Sequence, residues 1–370
     1  MTFDPTLFAR GADVRGTYPE QINADLAWLT GVYLARAVAK ITGGDEPKII
    51  VGRDGRVSSP EIYAALVAGI AAGGGKALPC DLATTDMVQW GVGEQLGGAV
   101  AGAMITASHN PPQYNGIKMV VHNPASGDLD MLRPVEHLNP QFQARADGED
   151  VPPGGDAPPP ADAGLDLQGK FVAAAMKRSA RVAQASGKIV LDPGNGVGAL
   201  FRPLLEREFA ASGAAVEILE IAGEIDGTFP SRPSNPGLPG AVKALQAKVV
   251  ESGAAFGAAF DGDADRVFLV DERGEFVSGS VLLAALSKRA VEKARAEGKA
   301  DPAIMRRGVS SWLVPQTVRA AGGVPVISRC FCQDSRSRWR SPGPRRSSAA
   351  NRPRITTIRT PTAWIPGFSR

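Results

Sequence analysis

Two stretches of this chain share one layout, a short apolar run that ends in a glycine-bearing turn. Residues 48–51 (KIIV) lead into 52–56 (GRDGR), and residues 188–191 (KIVL) lead into 192–197 (DPGNGV). Three consecutive apolar residues that run into a turn bearing Gly and Asp read as a buried strand. After the first turn, Ser58, Ser59, Pro60 and Glu61 offer cap serines, an early proline and a capping-box glutamate, and Ile62, Leu66 and Ile70 follow at helical spacing. Strand, turn and helix in that order make an α/β unit. Between the two copies, residues 148–163 (GEDVPPGGDAPPPADA) hold too much Pro and Gly for the interior of any element. The chain is therefore expected to fold as α/β domains in series, with loops at the carboxyl ends of strands converging on a site.

At 370 residues and 44% hydrophobic residues, the chain is long enough for two to three cores. Its apolar runs are short and Gly-broken and its first residues lack a basic-then-apolar pattern, so a soluble, cytoplasmic protein without membrane contact is expected. Cys80, Cys330 and Cys332 are too few and too oddly spaced for a disulfide framework or a four-ligand zinc site, and they read as reduced thiols. The net charge of +3 hides an uneven distribution. Residues 329–370 carry ten Arg and one acid, Asp334, while the other 328 residues hold 31 bases against 37 acids. The body is acidic, which argues against a nucleic-acid partner; the basic end alone would read as a disordered interaction arm.

A third unit begins near Asp261, where the apolar run 254–260 ends in an acidic loop and resumes at 267–270. A helix over 281–297, closed by Gly298, comes next, and residues 310–328 read as a helix, a Gly-Gly turn and a strand.

Two loops carry chemistry. The first, Thr106-Ala107-Ser108-His109-Asn110-Pro111-Pro112, lies between the apolar strands 99–105 and 117–120, with Lys118 ten residues past the serine. A lone loop serine is commonly a turn or cap residue. Serine is also a poor nucleophile without help, but once phosphorylated it can donate phosphate, given a metal and a positioned base. The second loop, Asp261-Gly262-Asp263-Ala264-Asp265-Arg266, sets three carboxylates at alternate positions at a strand end, a hard-oxygen set suited to Mg²⁺. A solvated acidic turn is the other reading. A calcium loop is disfavoured even though Glu272 falls at the twelfth position, because Arg266 stands sixth, where a sharp turn needs Gly, and a strand follows at once.

Taken together, the two loops and the Asn115-Gly116-Ile117-Lys118 run resemble the α-D-phosphohexomutase superfamily, of the phosphomannomutase/phosphoglucomutase type. The likeness extends more loosely from Phe8 to about Arg329. It implies that Ser108 is a phosphoserine, that Asp261, Asp263 and Asp265 bind Mg²⁺ together with a phosphoserine oxygen, that His109 and Lys118 act as general acid and base, and that Arg266 contacts the active-site loop or the substrate. Ala12-Asp13-Val14-Arg15-Gly16 resembles an N-terminal family element, so Arg15 is a candidate phosphate contact; an ordinary Asp13–Arg15 ion pair is the alternative. The implied reaction interconverts hexose 6-phosphate and hexose 1-phosphate, of mannose or glucose, through a hexose 1,6-bisphosphate.

Ala12 replaces an aromatic usual in the family, and Arg232 with Pro233 replaces a His usual after Phe229-Pro230. Phosphoglucosamine mutases tend to show Gly-Thr-Asp-Gly-Ile-Arg-Gly near the start and a Ser opening the loop. The forms here favour a phosphomannomutase or dual phosphoglucomutase over that alternative.

From Cys330 onward the likeness stops, and a change of reading frame is inferred. Codons compatible with residues 349–368, regrouped one base earlier, can spell Gly-Glu-Pro-Ser-Ala-His, which resembles the family's substrate loop. The expected divisions are 1–148 with the serine loop, a linker 149–163, 164–258 ending at the metal loop, a partial third domain 259–329, and an out-of-frame, disordered tail 330–370. A fourth domain is expected to be absent and activity impaired, down to a non-catalytic Mg²⁺- or phosphosugar-binding remnant. Mannose or glucose preference and oligomeric state are left open.

Overall fold

The computed structural model describes residues 5–9, 11, 13–146, 158, 160–178, 182–308 and 310–328. They belong to two compact units, Met1–Glu275 and Phe276–Arg370. The expectations for residues 330–370 lie outside the described residues.

The first unit opens with β1 (Val14–Thr17) and α1 (Ala24–Thr42). Asn23 caps α1, its side chain accepting the Leu26 N–H, and Gly43 closes it in the left-handed conformation. β2 (Lys48–Arg53), α2 (Ser59–Ala72), β3 (Lys76–Leu82), α3 (Thr85–Gly93), β4 (Ala101–Ile105), β5 (Tyr114–Asn123), β6 (Asp128–Met131) and α4 (Asn139–Ala146) follow. The sheet runs β1-β5-β4-β2-β3, with β6 also beside β5. β2 is parallel to β3 and β4, whereas β5 is antiparallel to β4, β1 and β6.

Strand alternation decides what each face meets. Ile49, Val51, Ala103, Ile105, Ile117 and Met119 pack against Leu26, Leu29 and Tyr33 of α1 and Ile62, Leu66 and Ile70 of α2. Ile50, Met104 and Val120 turn the other way, onto Met87, Val88 and Val92 of α3 and onto Leu167 and Val172 of α5 (Leu167–Met176). Burying each such side chain stabilises the fold by about 1.5–3 kcal/mol, so both faces of the sheet are held firmly beneath the loops at its edge. Cys80, a free and buried thiol, lies in the second core, where burial first and Asp162 second push its pKa up to about 12.

The helix expected after residue 56 is present, but its serines do not cap it. Ser58 has helical backbone angles and makes no side-chain cap bond. Its Oγ accepts from Asn115 Nδ2 at 2.8 Å, and Ser59 Oγ donates to Asp54 Oδ1 at 2.6 Å. Asp54 and Asn115 are fully buried, and buried polar groups require partners, so they draw the hydroxyls inward. Glu61 likewise leaves the capping box and accepts from the Tyr18 hydroxyl at 2.5 Å.

After α5, β7 (Ser186–Asp192), α6 (Phe201–Ser212), β8 (Ala215–Glu220), α7 (Lys243–Ser252), β9 (Phe256–Phe260) and β10 (Val267–Asp271) build a second sheet in the order β10-β9-β7-β8. β7 is parallel to both β8 and β9, and β9 and β10 form an antiparallel hairpin. The expected boundary between residues 258 and 259 falls within β9, and β10 extends the same sheet.

The second unit contains the short β11 (Phe276–Val277), then α8 (Gly279–Ala296), β12 (Ala303–Arg307), α9 (Leu313–Ala320) and β13 (Val324–Ser328), with β12 parallel to β13. Ser278 caps α8 through the Val281 N–H, and Gly298 follows its end at φ 81°. Val291, Ile304, Val314 and Val318 form its small core. Serial α/β layers with mixed sheets between helices are thus found as expected. Among the described residues no helix is long and apolar enough to cross a membrane.

Candidate active site

The parallel strands β2 and β4 are neighbours, so the turns beyond their carboxyl ends touch. Asp54 donates its N–H to Ile105 O at 2.9 Å. Its buried carboxylate then organises the serine loop: Oδ2 accepts from Thr106 Oγ1 at 2.7 Å, and Thr106 Oγ1 accepts the Ser108 N–H at 2.8 Å. Ser108 is buried and sits at φ 53°, in the left-handed region that costs a residue with a Cβ roughly 1–2 kcal/mol. Such a conformation persists only where surrounding bonds hold it.

The acidic loop is the turn of the β9–β10 hairpin. Asp261 Oδ1 accepts the Arg266 N–H at 3.1 Å, closing that turn. Position 262 must be glycine, because a Cβ there would stand 2.6 Å from Ser108 O. The two loops meet across this contact. Ser108 Oγ donates to Asp261 Oδ2 at 2.9 Å, and Thr85 Oγ1, at the start of α3, donates to Asp263 Oδ2 at 2.5 Å. Lys118 Nζ, from β5, lies 2.6 Å from Asp263 Oδ2 and 2.7 Å from Asp265 Oδ2. The Arg266 guanidinium stands 3.6 Å from Asp261 and 3.5 Å from Asp265, and it donates to His109 Nδ1 at 2.7 Å. His109 Nδ1 is 3.4 Å from Ser108 Oγ.

These surroundings set the charge states. Burial, then Arg266 and Arg15, pull the His109 pKa down to about 4, so the ring is neutral near pH 7 and Nδ1 accepts from Arg266. Burial alone would lower the Lys118 pKa, but Asp263 and Asp265 outweigh it and raise it. Lys118 is thus charged at rest, the opposite of the depressed lysine that a resting general base would need. Asp261 is pushed well above the usual carboxylate range by burial and by Asp263 and Asp265. Asp86, in the first turn of α3, rises to about 8, again through burial first and then Asp265 and Asp263.

Asp261, Asp263 and Asp265 offer one carboxylate oxygen each within 4.8 Å of one another. Asp263 Oδ1 and Asp265 Oδ1 are buried without a hydrogen-bond partner, a costly arrangement that a bound cation would satisfy. An all-oxygen set carrying this much negative charge fits a hard divalent ion.

The structure brings Ser108, His109, Lys118, Arg266 and the three aspartates into one cluster. Arg15 pairs with Asp13 at 2.6 Å, and its Nε has no hydrogen-bond partner. Arg232, noted in the sequence only as a departure, is buried; it donates to Asp192 Oδ2 at 2.8 Å and to Phe260 O at 2.8 Å, fixing the strand end that precedes Asp261. Sequence reading did not single out Asp54, Arg56, Thr85 or Asp86. The repeated strand-turn layout was the available signal for the first two, since both of its copies place an aspartate at the turn.

Known proteins match this arrangement over most of the chain. Residues 7–137 match the model for phosphoglucomutase/phosphomannomutase α/β/α domain I, and residues 170–274 match that for domain II. This chain belongs to the phosphoglucomutase/phosphomannomutase family. It is 33% identical over 321 residues to a phosphomannomutase of Salmonella montevideo, covering 86% of this chain and 65% of that protein. It is 32% identical over 320 residues to the phosphohexose mutases protein of Xanthomonas campestris, covering 86% and 65%. A solved family structure, the phosphoglucomutase/phosphomannomutase family protein from Burkholderia thailandensis, superposes with a TM-score of 0.70 at 25% identity, over 91% of this chain and 69% of the other. The chain spans about 65% of the length of the curated relatives it matches. Both chemistry-bearing loops fall inside the two matched family domains.

Proposed function

We propose that this chain is a phosphosugar mutase that interconverts hexose 6-phosphate and hexose 1-phosphate, with Ser108 Oγ as the carrier of the phosphoryl group. One observation carries the reading: a serine in a strained backbone conformation points its hydroxyl at Asp261, inside a cluster of three aspartates, a lysine and an arginine.

Phosphorylated Ser108 would transfer its group to the free hydroxyl of a hexose monophosphate. The sugar O–P bond forms, the Oγ–P bond breaks, and a hexose 1,6-bisphosphate results. After that molecule turns over in the cleft, Oγ takes back the other phosphate and the isomeric monophosphate leaves. Lys118, charged at rest, holds a proton for the departing Oγ, and His109, held neutral beside Oγ, is in the state to accept one. Arg266 adds positive charge where transfer concentrates negative charge, and Arg15, whose charge is felt at His109, is the further candidate phosphate contact. Mg²⁺, held by Asp261, Asp263, Asp265 and an oxygen on Ser108, would supply charge neutralisation for the phosphoryl group. The rest is positioning by the chain itself.

The test is incubation of the purified chain with Mg²⁺ and glucose 1,6-bisphosphate or mannose 1,6-bisphosphate, followed by intact-mass measurement. One phosphate per chain, absent from Ser108→Ala, is expected, together with isomerisation of glucose 1-phosphate or mannose 1-phosphate in a coupled assay. Equal phosphorylation of Ser108→Ala would refute the assignment.

A further inference from the structure

The largest fully buried side chain among the described residues is charged: Arg56, at 1% exposure. Nothing in the proposed reaction employs it directly. A guanidinium has five N–H donors in a fixed plane, and all five are engaged here. Nε donates to Asp54 Oδ2 at 3.0 Å. One terminal nitrogen donates to Pro111 O at 2.7 Å and Tyr114 O at 3.0 Å; the other donates to Ser108 O at 2.8 Å and Asn110 O at 2.7 Å. Four of the five bonds therefore fall on backbone carbonyls of residues 108–114, the loop that presents the serine.

The remaining surfaces of Arg56 are closed too. Asp54 balances its charge in a pair with both side chains fully buried. Burial pulls the guanidinium pKa down and Asp54 opposes the shift. The Phe229 ring lies over the guanidinium, 5.2 Å from centroid to carbon. Phe229 belongs to the segment before the second family domain's Arg232, and that segment comes in very close. A Cβ on Gly227 would stand 2.4 Å from Val57 N, and one on Gly55 would stand 2.3 Å from Ile225.

A buried arginine that merely stabilised the fold would spread its bonds over the core. This one spends them on the seven residues whose geometry aims Oγ. The Ser108 carbonyl is gripped by Arg56 on one side and abuts Gly262 on the other, so the peptide that follows Ser108 cannot rotate without breaking both contacts.

We propose that Arg56 is a positioning residue for phosphoryl transfer, a five-donor clasp that holds the 108–114 loop in the strained conformation that directs Ser108 Oγ at Asp261. The proposal rests on the reading that Ser108 carries the phosphoryl group. Lysine cannot replace it, because a single ammonium has three donors on one point and cannot span four carbonyls.

The test uses the full chain with Arg56→Lys and Arg56→Gln, read in two ways. Amide hydrogen exchange should accelerate by about tenfold or more in peptides covering 107–114 and stay within about twofold in α1 and in β7. Single-turnover phosphorylation of Ser108 by glucose 1,6-bisphosphate should slow by about 30-fold or more at saturation, with the half-saturating concentration within about threefold of the parent. If both variants fail to fold, Phe229→Leu, which removes only the ring over the guanidinium, carries the same two readouts with effects of about threefold. Unchanged loop exchange, or acceleration spread evenly over the first unit, overturns the proposal, as does parental phosphorylation by both variants. If the parent chain takes no phosphate, the Ser108 reading fails, and the exchange measurement still decides whether Arg56 clasps the loop.

Discussion

Ser108 Oγ and Asp261 Oδ2, 153 positions apart in the chain, are joined by a 2.9 Å hydrogen bond. The serine and the first aspartate of the acidic loop are thus directly bonded, and on the proposed function they carry separate tasks, the hydroxyl taking phosphate and the carboxylate holding metal. Asp261→Asn keeps the shape and an oxygen but removes charge from the proposed metal-binding set. Mn²⁺ affinity, read by electron paramagnetic resonance, is expected to fall about tenfold or more, whereas Ser108→Ala should change it by less than about threefold in the unphosphorylated protein. Equal losses in the two variants would contradict the division of roles.

Lys118 compensates the buried Asp263 and the partly buried Asp265 at once. Lys118→Met leaves Asp263 without its ion-pair partner and Asp265 with Arg266 alone, and is expected to destabilise the protein in EDTA by about 3 kcal/mol, measured by urea unfolding. Added Mg²⁺ should recover more stability in this variant than in the parent, because an ion replaces the lost charge. A variant no less stable than the parent in EDTA would show that the ion pairs contribute nothing.

Asp86 offers a pH signature. Its folded pKa, near 8, lies above the ordinary 3.8, so the folded chain keeps a proton that the unfolded chain releases. Stability from this group is therefore complete below about pH 4 and is lost as pH rises towards 8. Asp86→Asn has no proton to lose. In EDTA its advantage over the parent should be near zero at pH 4, grow by several kcal/mol towards pH 8 and level off above. An advantage independent of pH would rule out the titration of Asp86 as its source.

Gly227 tests the seam between the two family domains. Alanine there would press its methyl group against Val57 N and Arg56 Cα, both backbone atoms that cannot swing away. A cost of about 1–3 kcal/mol is expected, with hydrogen exchange accelerating in 52–58 and 225–234 before it does in α1. Thermal unfolding unchanged from the parent would mean that the seam relaxes freely.

The reactive loops were legible in the sequence because each is contiguous: a serine loop between two apolar strands, and aspartates on alternate positions of a hairpin turn. Helix α2 and strands β2, β4, β5, β7, β9 and β10 were legible for the same reason, since period and punctuation are local. Asp54 and Arg56 read merely as turn residues, because their role depends on β2 lying beside β4, a pairing of strands about 50 residues apart. Thr85 and Asp86 were invisible for a similar reason: α3 comes to the acidic loop only when the two sheets meet. Ser58 and Ser59 gave a false cap signal. Local propensity favoured capping, and the demand of buried Asp54 and Asn115 for partners prevailed.

Thr85 and Asp263, bonded through their side chains, are 178 positions apart. A ribosome must therefore release the whole of the first sheet, and much of the second, before the first carboxylate of the acidic loop can reach its partners. During that interval every strand that sets the 106–113 loop beside Asp54 and Arg56 has been made, whereas the aspartate that its hydroxyl bonds has not. The contacts that join the two loops are thus late, long-range events of synthesis, made only once the second sheet has arrived.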